Sequence, residues 1–187
     1  MLLTSSDAPS QIWQTVLHEL RRGALDPKHP FRFLTLATAG TNFPQVRTVV
    51  LRELTSSVEF LVYTDYRTAK VQDLLKIPRV SLLFYHPKKQ VQVRVKALAT
   101  LHVANELAEE HWKRVSEKRQ LEYKSELDPG ARIEKPELGW ETQDDNAYFS
   151  VLKFSPLSIE VLQLGKEGHL RIQFELTSGW QGNWLVP

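Results

Sequence analysis

Three short stretches carry the residues best suited to hold an anionic ligand. The first is Arg47-Thr48-Val49-Val50-Leu51-Arg52. On a strand, alternation puts Arg47 on one face with Val49 and Leu51, and Thr48 on the other with Val50 and Arg52. A guanidinium on an apolar face requires a partner, because burying it unpaired is very costly. A phosphate supplies one through bidentate hydrogen bonds; an internal carboxylate, or an edge position open to solvent, would serve as well. The second stretch runs from Tyr63 through Thr64, Asp65, Tyr66, Arg67, Thr68 and Ala69 to Lys70. It leaves a strand, turns and enters a helix with Thr68 near the N-cap. Free amide N–H groups then stand beside Arg67 and Lys70, which describes an anion site or an ordinary capped surface helix. The third is Gln92 within Gln92-Val93-Arg94-Val95. Its amide both donates and accepts, which suits a ligand edge bearing carbonyl and imide groups and equally suits a solvated strand face.

Other chemistries find no support. The 187 residues contain no cysteine, which excludes disulfides, thiolate metal sites and cysteine nucleophiles. The six histidines are scattered without paired spacing for zinc, so no metal is expected. There is no glycine-rich phosphate loop and no G-x-S-x-G turn. The net charge of +2, from 24 basic and 22 acidic residues spread along the chain, gives no case for nucleic acid. No apolar run approaches the ~20 residues of a membrane span, and the N-terminus lacks a secretory pattern. The expectation is a cytoplasmic protein away from membranes. Trp180 and Trp184 are read as packing residues rather than a ligand platform.

The elements that must position these residues read as follows. Ile12, Trp13, Val16, Leu17 and Leu20 predict a helix over residues 10–22, with Asp7 or Ser10 as cap, Pro9 in the first turn and Gly23 as stop. Strands are predicted at 31–37, 45–53, 58–63, 80–85 and 91–99, with a helix at 68–75 whose Val71, Leu74 and Leu75 face inward. A helix over 105–122 presents Trp112 and Val115 to the core and carries Glu109–Lys113 and Glu110–Arg114 pairs at i, i+4. Residues 124–146, with Pro129, Gly130, Pro136 and Gly139, form a long functional or mobile loop. Strands follow at 147–154, 157–163 and 168–176, then a short end at 180–187. Eight or so strands and few helices, with hairpin-like spacings, favour one domain over 1–187, mainly β, built as an antiparallel barrel rather than a doubly wound sheet.

Placed in order, RTVVLR at 47–52, YT at 63–64, TAK at 68–70, SLLF at 81–84 and VQV at 91–93 resemble the pyridoxamine 5′-phosphate oxidase family of FMN-binding split barrels. The resemblance covers residues 30–100 well and 150–187 loosely, in the style of the family's uncharacterised oxidase-related branch. It implies an antiparallel, Greek-key split β-barrel that binds FMN. Arg47 and Lys70 would hold the phosphate with help from Thr68. The backbone at Thr48, Val49, Val50, Leu51 and Arg52 and at Tyr63 and Thr64 would line the flavin. Gln92 would reach it from the neighbouring subunit of a homodimer with FMN at the interface. Arg52 takes a lysine position on the substrate side. The sequence departs from the pattern at Ala69, where the family has a phosphate-contacting arginine that Arg67 is placed to replace, and at Val91 and Leu162. His169 and Arg171 stand in swapped order where the family grips its substrate. The resemblance implies an FMN-dependent oxidoreductase acting on a small molecule through an altered clamp; a genuine pyridoxamine 5′-phosphate oxidase and a non-catalytic flavin carrier or sensor are the other readings.

Overall fold

The computed structural model describes residues 1–142 and 147–187. Helix α1 (Pro9–Leu25) is followed by strands β1 (Phe33–Ala39), β2 (Pro44–Val50), β3 (Glu53–Leu54) and β4 (Phe60–Asp65). Helix α2 (Ala69–Lys76) precedes β5 (Arg79–His86) and β6 (Val91–His102). Helices α3 (Glu106–Lys113) and α4 (Glu117–Gln120), and one turn of 3₁₀-helix at Leu121–Tyr123, lead into the 124–142 segment. Strands β7 (Phe149–Gln163), β8 (Leu170–Glu175) and β9 (Gly182–Leu185) complete the chain. Among the described residues no helix is long and apolar enough to cross a membrane.

All nine strands join one antiparallel sheet in the order β2-β1-β5-β6-β7-β4-β3, with β8 and β9 branching from β7. The branch explains why two predicted strands, at 147–154 and 157–163, are one. The first half of β7 pairs with β4, from Phe149 opposite Asp65 to Phe154 opposite Phe60. The second half pairs with β8, from Ser158 opposite Glu175 to Gln163 opposite Leu170. Pro156 sits at the change of partner, where a strand residue without an N–H costs least, and β6 shifts register between Lys96 and Ala97 opposite it. The curled sheet wraps a core that includes Phe31, Phe60, Phe84, Phe154 and Phe174, all fully buried. Among the described residues the sheet does not close: the strand order ends in β2 on one side and in β4 with the two-residue β3 on the other, and β2 and β4 do not pair across the split.

Several sequence-based boundaries move, each for a physical reason. Helix α1 starts from Ala8, whose N–H donates to Gln11 Oε1 at 3.1 Å, so neither Asp7 nor Ser10 is the cap. Gly23 lies inside the helix rather than ending it; a Cβ there would come within 2.7 Å of Phe31 Cβ, so close packing is what requires glycine. The 45–53 strand breaks after Val50, where Leu51 turns inward to full burial and its N–H donates to Arg32 O at 2.9 Å. Leu75 is exposed; Val71 and Leu74 alone anchor α2. The 105–122 helix is interrupted at Arg114–Ser116, leaving α3 and α4. Glu110 and Arg114 do pair, and Arg114 also reaches Glu53 at 2.9 Å.

One buried carboxylate docks α1 against the barrel. Glu19, with its side chain 6% exposed, accepts from Lys89 Nζ at 2.6 Å, Arg22 Nη1 at 3.0 Å and His29 Nε2 at 3.3 Å. Burial alone would raise its pKa, but the hydrogen bonds and charge of Lys89, with Arg22 and His29, overcome that and hold it down at about 2. His86 lies close enough that Glu19, His29 and His86 form a potential ligand group. The backbone argues otherwise. His29 Nδ1 accepts from Phe31 N, and His86 Nδ1 accepts from Lys89 N, so both rings carry their proton on Nε2 and serve as donors. Because the folded pKa of Glu19 is depressed, its contribution is present above the unfolded carboxylate value near 4.5 and is lost as pH falls towards about 2. Glu19→Gln is expected to cost about 1.5–3 kcal/mol at neutral pH and to flatten stability against pH in that acid window, measured by thermal unfolding; an unchanged melting temperature would contradict the clasp.

Candidate functional site

The split between β2 and β4 is a groove of about 540 Å³. Arg47, Thr48, Val49 and Val50 form one wall, Arg52 and Tyr63 the floor, and Thr68, Ala69 and Lys70 the end. Strand β2 pairs only with β1, so its outer edge offers unpaired backbone N–H and C=O groups to the groove. On the opposite side β3 covers β4 only at Phe60 and Leu61, leaving the backbone beside Tyr63 open.

The phosphate-like end is defined by two cations. Arg47 Nη1 donates to Thr38 Oγ1 at 2.7 Å, Thr38 donates to Asp73 Oδ2 at 2.9 Å, and Arg47 Nη2 stands 3.7 Å from the same carboxylate oxygen. The carboxylate partner that sequence reasoning left open therefore exists, at the long end of ion-pair range. Lys70 Nζ donates to Thr64 Oγ1 at 2.9 Å. Burial lowers the Lys70 pKa and the adjacent Arg47 lowers it further, with Asp65 acting in the opposite sense. Burial likewise lowers Arg47, against Asp73. Two like charges share a partly desolvated corner in which Asp73 stands 3.7 Å from Arg47, and Asp65, which acts on Lys70, is itself ion-paired to Arg67. Thr68, at the start of α2, donates its hydroxyl to Asp65 O at 2.8 Å instead of capping the helix. The start of α2, at Thr68, Ala69 and Lys70, lines the same corner without a side-chain cap. A dianionic phosphate fits this donor set.

Arg67 does not belong to it. Its guanidinium makes a two-pronged contact with Asp65, reaches Asp128 at 3.3 Å, donates to Ser125 O at 3.0 Å and lies 3.3 Å from the centroid of the Tyr148 ring. It clasps the 124–142 segment to the end of β4 and leaves Ala69 without a substitute cation. Of the 124–146 stretch read as a functional or mobile loop, residues 143–146 lie outside the described residues; Pro129, with Glu122 and Tyr123 just before the stretch, lines the groove.

Of the other expected residues, Leu51 is fully buried behind the wall, and Thr64 is buried with its hydroxyl towards Lys70. Gln92 lies on the outward face of β6, since Val91, Val93 and Val95 fill the inward one, and it does not line the groove of its own chain. His169 is exposed at the start of β8, where its Nδ1 accepts from Gly165 N at 3.3 Å. Arg171 donates to Glu160 at 3.0 Å, and Glu160 also holds Arg94 at 2.7 Å. Of the two expected clamp residues, Arg171 is thus tied to a carboxylate and His169 is not. Arg171 Nε is buried without a partner.

Sequence reasoning missed a second cavity of about 240 Å³ that shares Arg52, Tyr63 and Tyr123 with the groove and adds Arg114, Ser116 and Arg119. Arg52 lies over the Tyr63 ring at 5.0 Å, and its Nε is buried without a hydrogen-bond partner. Reading residues 105–122 as one exposed helix concealed this site; the break at Arg114–Ser116 is what turns these side chains to β4.

The fold and the groove define an FMN-binding split barrel, and comparison with known proteins identifies the family. Residues 10–103 match the family model described as pyridoxamine 5′-phosphate oxidase, FMN-binding domain. The pyridoxine/pyridoxamine 5′-phosphate oxidase of Zymomonas mobilis is 31% identical over 168 residues, which cover 82% of this chain and 86% of that protein. The enzyme of the same name from Psychrobacter cryohalolentis is 43% identical, but over 63 residues that span 33% of this chain and only 29% of that protein's length. A pyridoxamine 5′-phosphate oxidase-related, FMN-binding protein from Nostoc punctiforme superposes with a TM-score of 0.76 at 21% identity, covering 100% of both chains. PhzG from Burkholderia lata, solved with tetrahydrophenazine-1-carboxylic acid, superposes at 0.73 with 16% identity, over 98% of this chain and 94% of that one. The chain belongs to the pyridoxamine 5′-phosphate oxidase FMN-binding domain family, and its cofactor is FMN.

The clasp makes a direct test. Arg67→Ala is expected to accelerate tryptic cleavage after Lys124 and Arg132 several-fold, with the melting temperature little changed; unchanged cleavage would mean that Arg67 does not restrain the segment.

Proposed function

We propose that this chain is an FMN-dependent oxidoreductase acting on a small anionic substrate. The observation that carries the reading is the like-charged pair Arg47 and Lys70 lining the β2–β4 split, with Asp73 only at 3.7 Å from Arg47 and Asp65 already ion-paired to Arg67. These two side chains would hold the FMN phosphate, aided by Thr68 and the first N–H groups of α2. The open backbone edges at residues 48–51 and 63–64 would meet the flavin ring system. The flavin, once bound, supplies the hydride chemistry. The protein's part is to fix it, to exclude water and to present the substrate.

Presentation falls to the adjoining cavity. Arg52, Arg114 and Arg119 surround it with Ser116 and the two tyrosines, a donor set suited to a carboxylate or phosphate. Arg52 belongs to both spaces, so a substrate anion gripped there would lie against the flavin. Gln92 and Arg171 face outward and act, in this reading, on the groove of a second copy; the functional unit is a homodimer with FMN at the interface. The relatives named pyridoxine/pyridoxamine 5′-phosphate oxidase favour a second reading, in which pyridoxamine 5′-phosphate is the substrate. Against it stands Glu160, which occupies Arg171.

Arg47→Ala and Lys70→Ala are each expected to weaken FMN binding by roughly 10- to 100-fold, the equivalent of one charge-assisted contact of about 1.5–3 kcal/mol. Ala69→Arg, which adds a third cation at the start of α2, is expected to tighten it. Titration of flavin fluorescence reads all three; an unaltered affinity in both alanine variants would place the phosphate elsewhere. Anaerobic reduction of the bound flavin by pyridoxamine 5′-phosphate, or by another small anionic donor, separates the enzyme from a flavin carrier, for which every donor fails.

A further inference from the structure

Behind the wall of the small cavity lies a buried histidine that none of the roles above uses. His111, on α3, is 2% exposed, and its Nδ1 stands 2.8 Å from Tyr63 Oη. Its Nε2 faces Glu53 Oε2 at 3.9 Å, and the same carboxylate oxygen receives Arg114 Nη1 at 2.9 Å. The Glu53 carboxylate favours the proton on Nε2, leaving a lone pair on Nδ1, so the Tyr63 hydroxyl is the donor. Burial lowers the His111 pKa and Arg114 lowers it further, with Glu53 and Glu110 acting in the opposite sense, which keeps the ring neutral and able to accept. The rings of Tyr63 and His111 meet edge-on with centroids 5.5 Å apart, and Phe149 packs edge-on against Tyr63 at 5.0 Å.

A continuous set of contacts results. Arg52 lies over the Tyr63 ring, Tyr63 donates to His111, His111 faces Glu53, and Glu53 binds Arg114. Its two ends, Arg52 and Arg114, both line the cavity, while His111 and Glu53 do not. We infer that His111 is a positioning residue for this anion site: through Tyr63 it fixes the ring on which Arg52 rests, and beside Glu53 it sets the carboxylate that aims Arg114. A guanidinium with its Nε buried and unpaired, as in Arg52, is not held in place by hydrogen bonds at that nitrogen. The Tyr63 ring beneath it restrains its plane, alongside the hydrogen bond between Arg52 and the Tyr123 hydroxyl. If the ring turns, the cavity loses the orientation of its shared cation, whereas the Arg47–Lys70 corner, built on β2 and α2, is untouched.

The inference rests on reading the small cavity as an anion site, and benzenesulfonate tests both, since its charge is constant from pH 5 to 9. Its binding to the FMN-loaded protein is followed through the perturbation of the flavin absorbance. His111→Phe keeps a ring against Tyr63 but offers no acceptor; it is expected to weaken sulfonate binding about five- to tenfold, the range of one lost hydrogen bond, with FMN affinity unchanged. His111→Asn, whose amide oxygen falls near the Nδ1 position, is expected to restore most of the loss. Tyr63→Phe combined with His111→Phe should weaken binding no more than either alone, because both remove the same contact. Sulfonate affinity unchanged in His111→Phe, or lost in parallel with FMN affinity, overturns the positioning role, as does failure of the asparagine variant to restore it. Absence of sulfonate binding by the unaltered protein overturns the anion-site reading and this inference with it.

Discussion

Two cations held side by side at a seam in the sheet set the terms for everything around them. Arg47 comes from the edge strand β2 and Lys70 from the first turn of α2; Asp73 stands 3.7 Å from one guanidinium nitrogen, and Asp65, which acts on Lys70, is shared with Arg67. Bringing like charges together in a partly desolvated corner is unfavourable unless an anion joins them. The barrel makes the corner by failing to close. Because β7 spends its first half on β4 and its second half on β8, the sheet forks, and β2 and β4 are left facing each other without hydrogen bonds between them. The same gap that gives the cations their position gives the ligand its open backbone edges.

The loop and the arginine beside it follow from this arrangement. Arg67, two residues before Ala69, points away from the groove because Asp65 holds both its backbone N–H and its guanidinium. Where the resemblance implies a phosphate-binding arginine the chain has Ala69, and the nearest candidate replacement, Arg67, is spent on the 124–142 segment. The proposed phosphate end therefore has two cations, Arg47 and Lys70, and Pro129 of the segment lines the same groove. The second cavity extends the same space towards Arg114 and Arg119, and the two share Arg52, Tyr63 and Tyr123, so in the proposed reading cofactor and substrate ends meet there.

Much of the groove was legible because it is local. Residues 47–52, 63–64 and 68–70 each form a short run in which type and spacing carry the signal, and alternation put Arg47 on the face of Val49, which packs against the core. What was not legible depends on long-range partners. Nothing near Arg67 in sequence announces Asp128 or Ser125, and nothing near Arg171 announces Glu160, eleven residues earlier on a paired strand. The Arg114–Ser116 break was hidden because the charged residues of 105–122 make sound i, i+4 pairs, and Glu110 with Arg114 does form one. The single β7 strand was read as two because Pro156 is a reliable strand terminator unless, as here, the strand is changing partners. Gly23 looked like a helix stop for want of any sign that Phe31 returns to pack upon it.

The central claim is that the Arg47–Lys70 corner holds the phosphate of FMN. Comparing FMN with riboflavin, which shares the ring system and the ribityl chain but lacks the phosphate, addresses it without altering the protein. Two charge-assisted contacts contribute about 3 kcal/mol or more, so FMN is expected to bind at least about 100-fold more tightly than riboflavin in a fluorescence titration, with the difference shrinking at high salt. Equal affinity for the two flavins would contradict the account.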